Sequence, residues 1–306
     1  MVKRLLDCCA SDFIKMSKKD KLESIASSEG RVLVTEVIGT YQPLLGYISN
    51  AELACAFGSD ILLLNMFDFE NIVFNGIPNV KSENVIKEIK RLTGRMIGVN
   101  LEPVDSGEET MGEIKTISKG RQASVETAKK AKAMGADMIV LTGNPGTGVT
   151  NRAIINTLNE IKKSVGDTVI LAAGKMHAAG SLREAGENII TEKDILDFKT
   201  AGADIIMLPA PGTVPGITME YIRKLVEYSH SLGALTLTAI GTSQEGADCD
   251  TIKRIALMCK MTGTDMHHIG DAGYVGIAFP ENIMHYSIAI RGRRHTFNRM
   301  ACSINR

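Results

Sequence analysis

The feature that most constrains the fold is an alternation, repeated eight times, of a short apolar run with a longer segment of helical periodicity. The runs are rich in Val, Ile and Leu, and they are apolar at consecutive rather than alternate positions. This is typical of strands buried on both faces, which form parallel sheets covered by helices. The runs occupy residues 31–37, 60–66, 95–101, 137–143, 168–174, 204–210, 235–241 and 265–271.

The junctions between the units also repeat. Glycine followed two residues later by aspartate opens four of the runs, as in Gly58 with Asp60 and Gly202 with Asp204. The helical segments begin near a capping Ser, Thr or Asp and end in glycine. Eight such units in about 250 residues predict an α/β protein with a single (β/α)8 TIM barrel. We expect an extra N-terminal helix within residues 1–30 to cover one end of a barrel formed by residues 31–306.

Composition excludes several classes of function. The chain has 306 residues, equal numbers of acidic and basic side chains, no Trp and 5% aromatic residues. We therefore expect no nucleic-acid partner and no base-stacking platform. No segment reaches the ~20 apolar residues that cross a bilayer, so we expect no membrane partner. The six cysteines lack metal-ligand spacing, which favours reduced thiols in a cytoplasmic protein. The arginine-rich final segment favours a homo-oligomer contact or a solvated helix end.

The segment LTGNPGTGVTN (141–151) nearly matches a nucleotide-binding P-loop. Val149 stands where that motif needs its lysine, so we expect no nucleotide. Gly143 and Gly146 are open to two interpretations, an anion site built from backbone N–H groups or a tight turn. Thr150 or Asn151 would cap the following helix.

A second short motif, Asp248-Cys-Asp250-Thr251, matches the nucleophile motif of haloacid-dehalogenase-type phosphatases. The residues before it are polar and loop-like, whereas that chemistry needs a buried strand. Helix capping is the preferred interpretation, and phosphate-ester hydrolysis is kept as an alternative function.

Polar side chains at the ends of strands are the main catalytic candidates, because barrels of this kind bind substrates at the carboxyl ends of their strands. Glu36 and Glu102 are candidates for proton transfer or, with Asp271, for a divalent cation. The alternative for Glu36 is a structural ion pair. Asn65 and Asn100 are candidates for ligand binding.

Lys175 follows three small residues at the end of the fifth run. It is predicted to form a Schiff base with a carbonyl substrate or to pair with a phosphate, with a solvated loop lysine as the alternative. His177, two residues later, is a candidate for proton transfer. His267 and His268 are adjacent in the eighth run, so one points inward and the other toward the helices, each as a hydrogen-bonded core histidine.

Glycine-rich turns after the last strands indicate a phosphate site, since the loops after strands seven and eight bind phosphate in many such barrels. Gly241, Thr242, Ser243, Gly270 and Gly273 are the candidates. Thr213, in the turn after strand six, is a further candidate for ligand binding.

The segment ADMIVLTGNPGTGVTNRAIINTLNEIKKSVGDTVILAAG resembles the phosphate-binding (β/α)8 superfamily and, loosely, the BtpA-like barrels. The whole chain also resembles a group of bacterial barrel proteins without an assigned function, some of them labelled haloacid-dehalogenase-like hydrolases. The resemblance implies the fold and transfers no catalytic residue.

These observations predict a lyase or isomerase, of the aldolase or epimerase type, that acts on a small phosphorylated carbonyl metabolite. A non-catalytic barrel that binds a phosphometabolite and regulates a partner remains an alternative. No cofactor is identified beyond a divalent cation as one option.

Overall fold

A computed structural model describes residues 2–104, 117–144, 147–176, 185–271, 273 and 275–306. Eight parallel strands form a closed barrel in chain order, and the last strand pairs with the first. This confirms the predicted (β/α)8 TIM barrel. The strands are β1 (Val32–Ile38), β2 (Ile61–Asn65), β3 (Met96–Leu101), β4 (Met138–Leu141), β5 (Ile170–Gly174), β6 (Ile205–Pro209), β7 (Leu235–Ile240) and β8 (Met266–Ile269).

Ten α-helices occur in the described ranges, and eight of them follow the strands of the barrel. Two short helices precede the barrel, where one was expected. The helices are α1 (Ala10–Lys15), α2 (Lys18–Ala26), α3 (Asn50–Ala56), α4 (Val85–Thr93), α5 (Val125–Ala133), α6 (Asn151–Val165), α7 (Glu192–Ala201), α8 (Met219–Ser231), α9 (Cys249–Met261) and α10 (Pro280–Ala301). None of the described helices combines the length and the apolar character needed to span a bilayer.

Alternation along the strands produces two apolar layers. Outward residues such as Leu62 and Ile139 pack against the helices, whereas inward residues such as Leu63 and Val140 fill the barrel. Because each strand is buried on both faces, its sequence is continuously apolar. Leu5, Phe13 and Ile25, from the N-terminal segment, pack in the inner layer. The segment therefore covers the amino-terminal end of the barrel.

The four Gly-x-Asp junctions have a common structural role. Each aspartate accepts a hydrogen bond from a backbone N–H of the preceding strand, and all four bonds measure 2.7 or 2.8 Å: Asp60 from Leu33, Asp137 from Ile97, Asp204 from Leu171 and Asp265 from Thr236. The even-numbered strands are thus tied to their predecessors at the amino-terminal rim. The polar candidates for the functional site lie at the opposite, carboxyl-terminal rim.

Candidate active site

A cavity of about 240 Å³ opens at the carboxyl ends of the strands. Its size suits a small metabolite, since pockets for larger ligands measure roughly 300–1,000 Å³. Eight residues predicted from the sequence line it: Glu36, Asn65, Asn100, Glu102, Gly143, Gly241, Gly270 and Asp271. The strand-end rule therefore brings together side chains that are up to 235 positions apart in the chain (Glu36 to Asp271).

Two carboxyl groups, those of Glu36 and Asp271, are neighbours inside this cavity, and Asn65 Nδ2 lies 2.6 Å from Glu36 Oε1 and 3.4 Å from Asp271 Oδ2. A hydrogen bond between two carboxyl groups needs a proton on one of them. Burial, the hydrogen bond to Glu36 and the negative charge of Glu36 raise the pKa of Asp271 to about 7. Burial likewise raises the pKa of Glu36 above its ordinary value. Together the two groups can hold or release one proton near neutral pH, as general acid–base catalysis requires.

Buried polar neighbours fix the orientation of the Glu36 carboxyl group. His268 Nε2 lies 2.9 Å from Glu36 Oε2, and Asn65 Nδ2 donates to Glu36 Oε1 at 2.6 Å. Burial lowers the pKa of His268 to about 4, so its imidazole is neutral at pH 7. His268 is thus the inward histidine, and His267 points outward to Tyr286 on α10, as predicted.

A chain of amide groups continues from Glu36 along the rim. Asn65 Oδ1 accepts from Asn100 Nδ2 at 3.1 Å, so the Asn100 carbonyl is directed away from Asn65. Among the described residues, Asn100 Oδ1 and Thr142 Oγ1 are buried without a hydrogen-bond partner. Both residues line the cavity. Unpaired buried polar atoms are costly, and a polar substrate would satisfy them.

Glu102 does not join the Glu36–Asp271 pair in a hydrogen bond. Its Oε1 accepts from Arg121 Nη2 at 2.5 Å and from Nε at 3.2 Å. Arg121 itself lines the cavity, and its side chain is 24% exposed. The ion pair with Glu102 holds the Arg121 guanidinium group in the cavity that also contains Glu36 and Asp271. A guanidinium group is suited to binding a carboxylate or a phosphate.

The glycines of the rim make room for side chains. A Cβ atom on Gly241 would lie 2.0 Å from Met176 Sδ, and one on Gly270 would lie 2.9 Å from the Ile240 carbonyl oxygen. A Cβ on Gly143 would lie 2.7 Å from Val149 Cγ2. These glycines line the cavity because larger residues would displace its wall.

Other candidates for phosphate and ligand binding lie outside the cavity lining. Thr213 Oγ1 donates to the Ala210 carbonyl at 2.7 Å, and Thr242 Oγ1 donates to the Thr213 carbonyl at 2.8 Å. Ser243 adopts a positive φ of 71° in the turn after β7. The Gly273 N–H donates to Asp271 Oδ1 at 2.7 Å, so this loop holds the acid in place.

Lys175 follows β5 as predicted, but its side chain is only 1% exposed and is not among those that line the cavity. Lys175 has an interaction partner within the protein. His177 and Gly146, two further candidates, lie outside the described residues.

Both sequence motifs that imitate known sites have structural roles. Val149, at the P-loop lysine position, is buried, and Thr150 caps α6 by accepting from the Ala153 N–H at 3.1 Å. Asp248 caps α9 by accepting from the N–H groups of Asp250 and Thr251 at 2.9 and 3.0 Å.

Six lining residues were missed from the sequence: Met66, Arg121, Thr142, Asn144, Met176 and Glu245. Thr142 and Glu245 follow strands four and seven, so the strand-end rule was sufficient to find them. Arg121 follows β3 by twenty positions, and no pattern in the sequence marks it. In the described parts of the chain, no three carboxylate, imidazole or thiol groups are arranged to hold a metal ion.

Comparison with known proteins gives a family and a fold neighbour. The profile described as a domain of unknown function (DUF7916) matches residues 6–306. No curated protein matches the sequence. Among solved structures, the thiamine phosphate pyrophosphorylase from Pyrococcus furiosus matches with a TM-score of 0.48 and 15% identity, covering 86% of this chain and 96% of its own.

Proposed function

The chain belongs to the family described as a domain of unknown function (DUF7916), and we propose that it is an enzyme that transfers protons on a small metabolite. The reaction class is a lyase or isomerase of a phosphorylated carbonyl compound. The observation that carries the proposal is the Glu36–Asp271 pair, because its hydrogen bond and burial raise the pKa of Asp271 to about 7. A carboxyl group with a pKa near the working pH is the most effective proton carrier.

The proposed chemistry is proton abstraction next to a carbonyl group. Asp271 in its ionised form takes a proton from carbon, and the negative charge of Glu36 stabilises the protonated Asp271 that results. The same two groups return a proton to carbon or oxygen when the product forms. Positioned acid–base groups of this kind accelerate such steps by about 10²–10⁴-fold. His268 and Asn65 act through Glu36 as positioning residues, since both contact its carboxyl oxygens.

The anionic part of the substrate is assigned to Arg121. Among the described residues that line the cavity, Arg121 is the cationic one. Its bond to Glu102 holds the guanidinium group in one orientation. A phosphate bound there agrees with the resemblance of the β4–β5 segment to phosphate-binding barrels. The Asn100 carbonyl and the Thr142 hydroxyl would bind the hydroxyl groups of the same molecule.

In this proposal Lys175 does not form a covalent bond with the substrate. A Schiff base requires the amine to reach a substrate carbonyl, whereas Lys175 is 1% exposed. Treatment of the protein with borohydride in the presence of a carbonyl substrate is expected to leave Lys175 unmodified. Peptide mass mapping measures this, and a trapped adduct at Lys175 would replace proton transfer by covalent catalysis.

The function is tested by isotope exchange. The protein is incubated in deuterated water with phosphorylated aldoses and ketoses of three to six carbons, and loss of carbon-bound hydrogen is followed by NMR. We expect exchange at the carbon next to the carbonyl with at least one of these compounds. Asp271→Asn and Glu36→Gln should abolish it, and the matched control Asp248→Asn should retain it.

Two outcomes contradict the proposal. Binding of a sugar phosphate without exchange or turnover would identify a non-catalytic phosphometabolite-binding barrel. Release of inorganic phosphate that is lost in Asp248→Asn and retained in Asp271→Asn would identify a phosphate-ester hydrolase.

A further inference from the structure

A second pocket, of about 400 Å³, lies near the opposite end of the barrel between the N-terminal segment and α4. Four cationic side chains line it, namely those of Lys87, Lys90, Arg91 and Arg95. The described residues that line the pocket include no carboxylate. The chain as a whole is neutral, so this is a local excess of positive charge.

Two of these four cations have carboxylate partners. Lys90 pairs with Asp137 at 2.8 Å, but Asp137 also pairs with Lys21 at 2.6 Å. Arg91 pairs with Glu88 at 2.6 Å. Within the described ranges, Lys87 has no ion pair.

The positively charged side chain of Arg95 is buried at the inner wall of the pocket. Its guanidinium group donates to the carbonyl oxygens of Ser59 at 3.1 Å and Arg299 at 2.9 Å. Asp60, a buried carboxylate, pairs with Arg291 and Arg299. Within the described ranges Arg95 has no ion pair of its own, and its guanidinium group is held by backbone carbonyl oxygens. Charge of this kind is stabilised by an anion that enters the pocket.

Apolar side chains complete the wall. Phe13 and Ile304 line the pocket together with Ile14, which is 86% exposed although it is a large apolar residue. An exposed apolar side chain near one buried and three more accessible cations suits a ligand that has both an anionic group and an apolar body.

We propose that this pocket is a second ligand site, which binds a small organic anion with an apolar body. The anionic group lies against Lys87, Arg91 and the buried Arg95, and the apolar body lies against Phe13, Ile14 and Ile304. The site is separate from the cavity at the carboxyl ends of the strands, and it does not depend on the proposed reaction.

The test uses a tryptophan reporter, since the chain contains no Trp. Ile14→Trp places a reporter at the pocket, and Leu257→Trp places one at a groove of about 450 Å³ along α9 and α10. The probe is anilinonaphthalene sulfonate, an aromatic anion that accepts energy from Trp. We expect energy transfer from the introduced Trp to the probe to saturate as the probe is added to the Ile14→Trp protein. Binding of the probe should weaken at higher salt concentration.

Charge reversal separates the proposal from simple apolar binding. In the Ile14→Trp protein, Lys87→Glu together with Arg91→Glu should weaken probe binding about tenfold or more, since two attractive charges become repulsive. The matched pair Lys253→Glu with Arg293→Glu, in the α9–α10 groove, should leave it unchanged. Neutral phenylnaphthylamine should bind far more weakly than the sulfonate.

The proposal is overturned if the neutral compound binds as tightly as the sulfonate, or if the two charge reversals have equal effects. Stronger energy transfer to the probe from the Leu257→Trp protein than from the Ile14→Trp protein would also overturn it. Circular dichroism of each variant confirms the fold. Of the substituted positions, Ile14, Lys87 and Arg91 line the proposed pocket, and Lys253, Leu257 and Arg293 line the control groove.

Discussion

At the scale of single residues, the central feature is the carboxyl group of Asp271, whose pKa is raised by its surroundings. Asp271 is polar and follows a strand, which made it a candidate from the sequence. Its pairing with Glu36 was not predicted, because the sequence does not specify which strand ends face each other at hydrogen-bond distance. Glu36 contacts the buried His268, so a structural role is compatible with the proton transfer proposed for it and Asp271.

The raised pKa of Asp271 predicts a pH dependence of stability. An aspartate in the unfolded chain titrates near pH ~3.9, whereas in the folded protein the pKa of Asp271 is about 7. Between these values the folded state holds more protons, so this contribution to the free energy of unfolding falls as pH rises. The stability of the wild type relative to Asp271→Asn should therefore fall between about pH 4 and 7. Urea unfolding of both proteins at a series of pH values measures this difference in the free energy of unfolding. A difference that stays constant across this pH range would contradict the prediction.

Arg121 provides a second prediction at this scale. Arg121→Gln should raise KM for the exchanging sugar phosphate by about 10–100-fold, with a smaller change in kcat, because a charge-assisted contact to the anion is lost. Arg121→Lys keeps the charge but not the two-pronged bond to Glu102, so an intermediate KM is expected. Steady-state kinetics with both variants would contradict the assignment if kcat fell and KM stayed constant.

At the scale of elements, strand positions and helix caps were predictable from the sequence, and loop contacts were not. Seven of the eight strands lie within the apolar runs, and β1 extends one residue beyond its run, because burial on both faces leaves an unbroken pattern. Asp248 was predicted as a cap from local chemistry alone, and Thr150 was one of two predicted candidates, with Asn151, for the cap of α6. The Gly-x-Asp junctions were recognised as turns, but the bond from each aspartate to the preceding strand depends on sheet pairing and was missed.

The role of these aspartates is testable in one junction. Asp204→Ala removes the acceptor for the Leu171 N–H and the partner of Lys18. We expect a loss of about 1–3 kcal/mol in the free energy of unfolding, because a buried donor is left unpaired. The matched control is Asp167→Ala, whose side chain is 99% exposed. Equal destabilisation of the two variants would show that the junction bond contributes nothing.

At the scale of the whole molecule, overall neutrality conceals two pockets with linings of opposite predominant charge. Glu36, Glu102, Glu245 and Asp271 line the cavity at the carboxyl ends of the strands, and four cations line the pocket near the N-terminal segment. Net charge could be counted from the sequence, but its distribution could not, since the closure of the barrel decides which charges share an end.

The N-terminal segment belongs to the same level, because it closes one end of the barrel. Leu5 is fully buried against the inner layer, whereas Ile14 in the same segment is exposed. Leu5→Ala should cost about 2–5 kcal/mol in the free energy of unfolding, and Ile14→Ala should cost little. Thermal and chemical unfolding of both variants measure the difference, and similar values would mean that the segment does not stabilise the barrel.

The most direct test of the account is infrared spectroscopy of the carboxyl groups as pH is varied, because a protonated carboxyl group has its own carbonyl band. The wild type should lose one such band around pH 7, where the pKa of Asp271 lies, and Asp271→Asn should lack this transition. Glu36→Gln should shift it to lower pH, since the negative charge of Glu36 is removed. A wild type in which every carboxyl group is already ionised below about pH 5, the ordinary behaviour of Asp and Glu, would contradict the shared proton and the proposed chemistry.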